Sequence, residues 1–253
     1  MPRKPRKKSK TAIYHIMLRG INKQTIFEDD NDKHKFLETL AKYKVISCFE
    51  LYGYCLMDNH VHLLMMETKE PISTIMKRIS SSYVYWYNRK YHRCGHLFQE
   101  RFKSESVESA RYFITVLRYI HQNPLRAGLV ESVFDCKWTS IHEYLHKVHI
   151  TDIDRALNLF SSDRSIAMEQ FLSHTQKENT DQCFESNQKW RLSDDQVREI
   201  LRTRGVNSNS MLQQMDRESR YAVLAHLKKL EGVSIRQISR ITGVSKSIIE
   251  RIK

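Results

Sequence analysis

Two short patterns in the sequence combine side chains that can bind a metal ion and attack a phosphate. His60 and His62 stand two residues apart in the run HVHLLMM. Side chains at positions i and i+2 of a β-strand point to the same face, so these imidazoles would lie side by side. Two convergent imidazoles can share one divalent cation, and such a cation can polarise a phosphate. Taken alone, the spacing favours two ordinary histidines of a surface or core strand over a metal site.

The second pattern lies in a segment with helical periodicity. Tyr119 and Asn123 are four residues apart and would project from one face of a helix over residues 110–122. A phenol has a pKa near 10 and is a weak nucleophile, but a nearby cation favours its ionised form. Tyr119 could then attack a phosphate and keep the bond energy in a DNA–protein link. As one of twelve tyrosines, it also fits a half-buried core residue.

The elements that must position these residues follow from the spacing of apolar residues along the first half of the chain. Their order is strand, helix, strand, strand, helix, strand, followed by a further helix that Pro124 is expected to close at Asn123. This order predicts an α+β fold with a ferredoxin-like antiparallel sheet of three or four strands and helices on one face. The predicted ranges are strands at 12–19, 51–57, 60–66 and 102–107, and helices at 30–45, 72–91 and 110–122.

Composition predicts four segments: a basic N-terminal arm (1–10), the domain with both patterns (11–172), a polar linker (173–190) and a helical domain (191–253). The end of the last segment, residues 234–253, is typical of a helix-turn-helix. A plain helical hairpin is the alternative. The motif would place Ile235, Ile238 and Ile241 on the first helix, Gly243 at the turn, and Val244, Ile248 and Ile249 on the buried side of the second.

The positive charge is concentrated at the two ends of the chain. Of the net charge of +13, six positive charges lie in residues 1–10 and a further net six in residues 220–253. Two basic ends indicate contacts with a polyanion, although basic tails are also often merely solvated. The predicted DNA-binding residues are Arg3, Lys4, Arg6, Lys7 and Lys8 in the arm, Arg236 and Arg240 as phosphate contacts, and Ser245, Lys246, Ser247 and Arg251 at the second helix of the motif.

The run YVYWYNRKY, residues 83–91, alternates aromatic and basic side chains. Its aromatic rings could stack on unpaired bases while Arg89 and Lys90 hold the DNA backbone. Aromatic residues of amphipathic helices usually face inward, however, so core packing explains the run equally well.

Other features of the sequence exclude some classes of protein. The apolar runs are shorter than a membrane-spanning helix needs, and no apolar stretch follows the basic arm as in a signal peptide. Five scattered cysteines without a C-x-x-C pair do not form a disulfide framework. We therefore expect a cytoplasmic protein with no membrane partner.

Five segments in the same order resemble the REP-associated tyrosine transposases, relatives of the single-tyrosine insertion-sequence transposases of the HUH nuclease superfamily. The similarity runs from about Thr11 to Leu145 and more weakly to Phe171. Asp58, Ile21 and Glu100 depart from residues that are common in the family; Asp58 either caps the turn or tunes the metal field. The five segments are YHIMLRGINKQTIF, YGYCLMDNHVHLLM, GHLFQERFKS, LRYIHQNPLRAGLV and KWTSIHEYL.

The resemblance implies a role for each residue of the two patterns. His60 and His62 would bind the metal, Asn123 would be a further ligand, and Tyr119 would form a 5′-phosphotyrosine link. The family uses magnesium or manganese, and two imidazoles favour manganese or a magnesium ion that keeps several waters. The substrate would be single-stranded DNA at hairpin-forming repeats, with a duplex contact by the C-terminal domain. The family includes dimers that share active sites and members that act as monomers.

Two other functions are consistent with the sequence. The chain could be a DNA-binding regulator that uses the helix-turn-helix and has lost catalysis, although a binder does not need all four residues of the two patterns. It could also process RNA, which a strict requirement for a 2′-hydroxyl would reveal.

Overall fold

The computed structural model describes residues 7–99, 101–178, 181, 183, 192, 194–206, 209–230 and 232–252. Arg3, Lys4, Arg6 and Glu100 lie outside the described residues. The chain divides into two compact units, Met1–Phe184 and Glu185–Lys253, each with its own core.

The first unit is built on a four-stranded antiparallel sheet with the strand order β2-β3-β1-β4. This is the predicted ferredoxin-like plan, in which β1 and β3 are the central strands. The α+β fold class is thereby confirmed. The strands are β1 (Ile13–Arg19), β2 (Glu50–Met57), β3 (His60–Met66) and β4 (Lys103–Ser106), and the helices of this unit are α1 (Asp30–Ser47), α2 (Ile72–Lys90), α3 (Ala110–Arg126), α4 (Ile141–Leu145), α5 (Ile153–Asn158) and α6 (Arg164–Gln176).

Helices cover both faces of the sheet because the central strands are apolar on both sides. Ile16 and Leu18 of β1 pack with α1 and α2 in one core, whereas Ile13 packs with α3 and α6 in the other. The sequence predicted helices on one face of the sheet. Helices α1 and α2 do share one face, but α3 to α6 cover the other face. The second face, covered by α3 to α6, is the one that His60 and His62 share.

Helix α3 extends one turn beyond the predicted end. Pro124 lies inside the helix and does not end it. The proline removes only one main-chain donor. The next turn still forms, because the Ala127 N–H donates to Asn123 O at 3.1 Å. Ser109 is the N-cap residue of this helix, and its side chain accepts from the Tyr112 N–H. Asn123 is therefore a helical residue with a fixed direction.

The structure differs from the prediction of a polar linker at its N-terminal end. Helix α6 extends to Gln176, and its last turn and the residues after it contact α3. Asp181 pairs with Arg118, and the carbonyls of Thr175 and Lys177 accept from the Gln122 side chain. Cys183 is fully buried in the second core. These contacts hold the back of the helix that carries Tyr119.

In its described residues the second unit is helical, and aliphatic side chains of α7 to α11 form its core. Gly243 has a left-handed conformation (φ 72°) between the last two helices, as a turn of this kind requires. Ile238, Ile241 and Ile249 are buried as predicted, but Ile248 is 41% exposed. The buried side of the last helix is completed by Ile252 instead. These helices are α7 (Asp194–Thr203), α8 (Asn209–Gln214), α9 (Arg217–Lys229), α10 (Ile235–Thr242) and α11 (Lys246–Arg251).

In the part of the chain that the structure describes, no helix has the length and apolar character needed to cross a membrane.

A buried carboxylate joins the second core to the loop between α4 and α5. Glu143 Oε2 accepts from the N–H groups of His149, Ile150 and Thr151 and from the Thr151 hydroxyl, while Oε1 accepts from the Tyr54 hydroxyl. Burial on its own would raise the pKa of Glu143, but the three N–H donors hold this pKa below its ordinary value.

We predict that Glu143→Gln lowers the free energy of unfolding by about 1–3 kcal/mol at neutral pH, since an amide cannot accept all of these bonds. A group with a lowered pKa in the folded state stabilises the fold above its unfolded pKa of about 4.5 and loses this effect as the pH falls further. Urea unfolding should therefore show the difference shrinking at acid pH. Glu38→Gln, at an exposed position paired with Lys35, is the control; an equal loss in both variants would refute the role of Glu143.

Candidate active site

The two histidines of the first pattern lie at the start of β3, on the face covered by α3. Their ring centroids are 5.0 Å apart, His62 is 2% exposed, and His60 is half-buried. Val61 points to the opposite face and is fully buried there. The structure thus brings the two imidazoles together as the strand spacing predicts.

Helix α3 brings the second pattern against the first. The Tyr119 ring centroid lies 5.6 Å from that of His62, and Asn123 Oδ1 lies 3.2 Å from His60 Nε2. Tyr119 is 5% exposed, with the Arg126 guanidinium 5.3 Å from its ring centroid. His60 and Asn123 are half-buried, so the site opens to solvent on their side.

A hydrogen bond to the neighbouring Asn59 side chain orients His60. Asn59 Oδ1 lies 2.6 Å from His60 Nδ1, and the amide group of Asn59 donates to the Lys23 carbonyl. Asn59 Oδ1 can only accept, so His60 carries its proton on Nδ1. Burial, helped by the positive charge of Arg19, lowers the pKa of His60 to about 4. The neutral ring therefore presents the lone pair of Nε2 toward Asn123.

His15 of β1 is a third imidazole in the cluster, and the sequence patterns did not identify it. Its Nε2 lies 2.9 Å from His62 Nδ1, and its ring centroid lies 5.8 Å from that of Tyr119. Burial lowers the pKa of His15 to about 3. Burial, followed by the charges of His60, His15 and Arg19, holds the pKa of His62 well below its ordinary value. All three rings are neutral near pH 7.

Neutral rings restrict the proton positions between His15 and His62. The nitrogen of His62 that is not engaged with His15 is Nε2, so His62 can bind a cation only through Nε2. For this, His62 must carry its proton on Nδ1 and donate it to His15 Nε2. A second residue that accepts from a ligand histidine is the usual way in which proteins set the tautomer and direction of such a ring.

Arg19 is a second residue that the sequence patterns missed. It ends β1 directly opposite His60 in the β1–β3 pairing, on the face of the histidines. Burial lowers the pKa of Arg19, and the Tyr119 phenol opposes that effect. An arginine remains charged in such a place, so it adds a fixed positive charge near a phenol that must ionise and a phosphate that must bind.

The donor set fits a divalent cation. His60 Nε2 and Asn123 Oδ1 are both acceptors and face each other at 3.2 Å. If the Asn123 amide were rotated, its NH₂ group would donate to His60 Nε2 and provide a partner for that atom alone. A cation would provide a partner for both acceptors. Two ligands in neighbouring positions of an octahedral ion lie about 3.0 Å apart, close to this distance. The described residues include no group of three or more His, Cys, Asp or Glu side chains that could hold a metal, so the Asn123 amide is needed to complete the set.

Other predicted site residues lie away from this cluster. Lys90 pairs with Asp29 and Asp32 at the start of α1, at 2.8 and 2.6 Å, so its ammonium is engaged within the protein and is less free to contact a DNA backbone. Arg89 is exposed. Asp58 lies in the turn between β2 and β3 and pairs with Lys33 at 2.8 Å, which favours the turn role.

The aromatic run on α2 divides between the two interpretations. Tyr83 and Tyr87 are fully buried and serve the first core, and Trp86 is half-buried against it. Tyr85 alone is exposed, at 71%. Core packing therefore explains most of the run.

The predicted DNA-binding residues of the second unit are exposed, and so are Lys7 and Lys8 of the arm. Arg240 donates to Asp194 at 2.6 Å, which ties α10 to α7 and reduces its freedom to contact phosphate. The exposed residues at the turn and on α10 and α11 are Arg236, Ser245, Lys246, Ser247 and Arg251.

Comparisons with known proteins agree with this arrangement. Residues 8–123 match the family model of the IS200-like transposases, a segment that contains both sequence patterns. The resemblance drawn from the sequence is confirmed for this segment. Among curated proteins, none matches the chain.

Two solved structures are similar to the chain. The structure of a REP-associated tyrosine transposase bound to a REP hairpin superposes with a TM-score of 0.50 at 16% identity, covering 61% of this chain and 96% of its own. A protein from Deinococcus radiodurans R1 described as a transposase has a TM-score of 0.34 at 17% identity, covering 44% of this chain and 89% of its own. At these identities, the first similarity supports the fold alone.

We predict that the acceptor at His15 sets the metal affinity of the site. His15→Gln keeps an acceptor near the position of Nε2, whereas His15→Met has a similar size and no comparable acceptor. The Met variant should bind Mn²⁺ about 10- to 100-fold more weakly than wild type, and the Gln variant within a few-fold of it. Titration followed by electron paramagnetic resonance measures this without any reaction. Equal affinities of the Met and Gln variants at equal thermal stability would show that His15 only fills space.

Proposed function

We propose that this chain, whose residues 8–123 match the IS200-like transposases, cleaves and rejoins single-stranded DNA through Tyr119 with the help of a divalent metal ion. The observation that carries the proposal is the convergence of two elements on one point. Helix α3 supplies Tyr119 and Asn123, and strand β3 supplies His60 and His62. The ring centroids of Tyr119 and His62 lie 5.6 Å apart, and His60 Nε2 lies 3.2 Å from Asn123 Oδ1.

The proposed chemistry needs no other reactant. The Tyr119 oxygen loses its proton and attacks the phosphorus, the bond from phosphorus to the 3′-oxygen breaks, and that oxygen takes up a proton. The products are a 5′-phosphotyrosine link and a free 3′-hydroxyl. One phosphodiester replaces another, so a 3′-hydroxyl of the same or another strand can reverse the step and join the DNA.

Each residue of the cluster has a part in this proposal. His60, His62 and Asn123 would hold magnesium or manganese, which when bound would polarise the scissile phosphate. His15 and Asn59 direct the two imidazoles. Arg19 favours the ionised phenol and offers a charge to the phosphate.

Two observations support a substrate class: the similar structure holds a REP hairpin, and this chain is strongly basic. We propose single-stranded DNA at hairpin-forming repeats as the target. The exposed basic residues of the arm and of α10 and α11 would add contacts to phosphates, and α11 would meet duplex DNA. The arrangement of α10, Gly243 and α11 is also what a regulator without catalysis would use, so the test must separate binding from cleavage.

We predict a covalent adduct that depends on Tyr119. The full chain is mixed with a pool of end-labelled single-stranded hairpins with varied flanks and with Mg²⁺ or Mn²⁺, then run on a denaturing gel. Wild type should give a labelled protein band only with metal, while Tyr119→Phe and the double variant His60→Ala/His62→Ala give none, because each loses a group that the reaction needs. Tyr112→Phe, a tyrosine of the same helix bonded to Glu105, is the matched control and should retain the band.

Two results would contradict the proposal. An adduct that persists in Tyr119→Phe would assign the nucleophile to another residue. Tight binding to duplex DNA by wild type, without any adduct on any hairpin, would favour the regulator.

A further inference from the structure

A cleft that the proposed chemistry does not use lies between α2 and the segment that leads into β4. Its volume is about 960 Å³, at the upper end of the range for ligand sites. One wall is a stripe of α2 with the spacing of one helix face, and the other includes residues 96–99, 101 and 102. The stripe consists of Ser73, Lys77, Ser81 and Tyr85.

The rim of the cleft is polar and positive. Ser73, Lys77, Ser81 and Tyr85 are exposed, and from Ser73 to Tyr85 the helix rises about 18 Å. Arg101, from the facing segment, is also exposed. Among the described residues that line the cleft, Lys77 and Arg101 carry charge at neutral pH and none is acidic. An anionic chain is therefore favoured over a neutral or cationic ligand.

The floor of the cleft is apolar. Leu97, Phe98 and Phe102 are buried, and Val84 of α2 is half-buried beside them. An apolar floor with a cationic rim matches the chemistry of a single nucleic acid strand, whose bases have apolar faces and whose phosphates are charged. Tyr85, 71% exposed, offers a ring on which a base can stack. In duplex DNA the base faces are already stacked and unavailable.

The cleft lies on the face of the sheet that α2 covers, and the end of β1 connects it to the candidate active site on the other face. Arg19 lies opposite His60 in the sheet, Gly20 forms a bridge with Phe98, and the Ile21 N–H donates to the Leu97 carbonyl at 3.0 Å. Ile21 and Phe98 both line the cleft. Residues 19–21 thus connect the candidate active site to the cleft. The Cα atoms of Arg19 and Ile21 can lie at most about 7 Å apart.

We infer that this cleft binds the unpaired DNA segment next to the scissile phosphate, with a base stacked on Tyr85 and phosphates held by Lys77 and Arg101. The inference rests on the proposed function, because it takes the strand at Tyr119 as its starting point. It adds a binding site for the flank that is separate from the groups that cut.

Binding without cleavage tests the inference. The full chain carrying Tyr119→Phe is titrated into fluorescent hairpin oligonucleotides, with and without an unpaired flank, and the affinity is read from anisotropy. Tyr85→Ala should weaken binding of the flanked hairpin about tenfold and leave the hairpin without a flank unaffected. Lys77→Ala should weaken binding of the flanked hairpin and lower its salt dependence.

The controls are matched to each change. Lys147→Ala removes the same charge from an exposed loop away from the cleft, and Leu129→Ala truncates another exposed apolar side chain, 62% exposed. Each control variant should bind both oligonucleotides as tightly as the parent Tyr119→Phe chain does. As a second measurement, 5-iodouracil placed in the flank should photocrosslink to the peptide that contains Tyr85, whereas the same base in the stem should not.

The possible failures are distinguishable. If Tyr85→Ala and Lys77→Ala bind the flanked hairpin as tightly as the controls do, the cleft does not hold the flank, whatever the adduct assay shows. If they weaken both oligonucleotides equally, the cleft binds the duplex stem and the inference is wrong. If flank binding depends on Tyr85 but wild type forms no adduct, the cleft is supported and the proposed nuclease is not.

Discussion

The antiparallel pairing of β1 with β3 is the constraint on which the rest of the site depends. Its register sets Arg19 opposite His60 and Met17 opposite His62. Because side chains alternate along a strand, a shift of one residue would turn every one of these groups to the other face. The register is held by the apolar residues of the opposite face, such as Ile16 and Leu18, which are buried against α1 and α2. The first core thus determines which side chains face α3.

A polar cluster inside a packed interface needs internal partners. Unpaired buried polar atoms are costly, and here several ring nitrogens have a hydrogen-bond partner: His15 Nε2 pairs with His62 Nδ1, and His60 Nδ1 donates to Asn59 Oδ1. Burial keeps the rings neutral, which is the form that binds metal ions. Gln122 and Arg118 of α3 are held by Thr175 and Asp181, and these contacts keep α3 in place with Tyr119 and Asn123 beside the histidines. His15, His62 and Tyr119 are buried, and the cluster is open to solvent at His60 and Asn123.

The parts of the site that depend on local geometry were predictable from the sequence. The period of two along β3 places His60 beside His62, and the period of 3.6 along α3 places Tyr119 above Asn123. His15 and Arg19 could not be assigned in this way, because their place depends on strand register, which is set by residues far apart in the chain. The ion pairs of Lys90 were not predictable for the same reason: its partners lie at the start of α1, about sixty positions away, so a basic residue in an aromatic run gave no sign of them.

The central claim is that His60, His62 and Asn123 converge on one divalent cation beside Tyr119. Crystals of the full chain carrying Tyr119→Phe, soaked in Mn²⁺, would locate the ion directly by its anomalous scattering. We expect a single strong peak within bonding distance of His60 Nε2, His62 Nε2 and Asn123 Oδ1, next to the ring at position 119. A peak elsewhere, or an ion bound without His62 while His15 still contacts that ring, would contradict it.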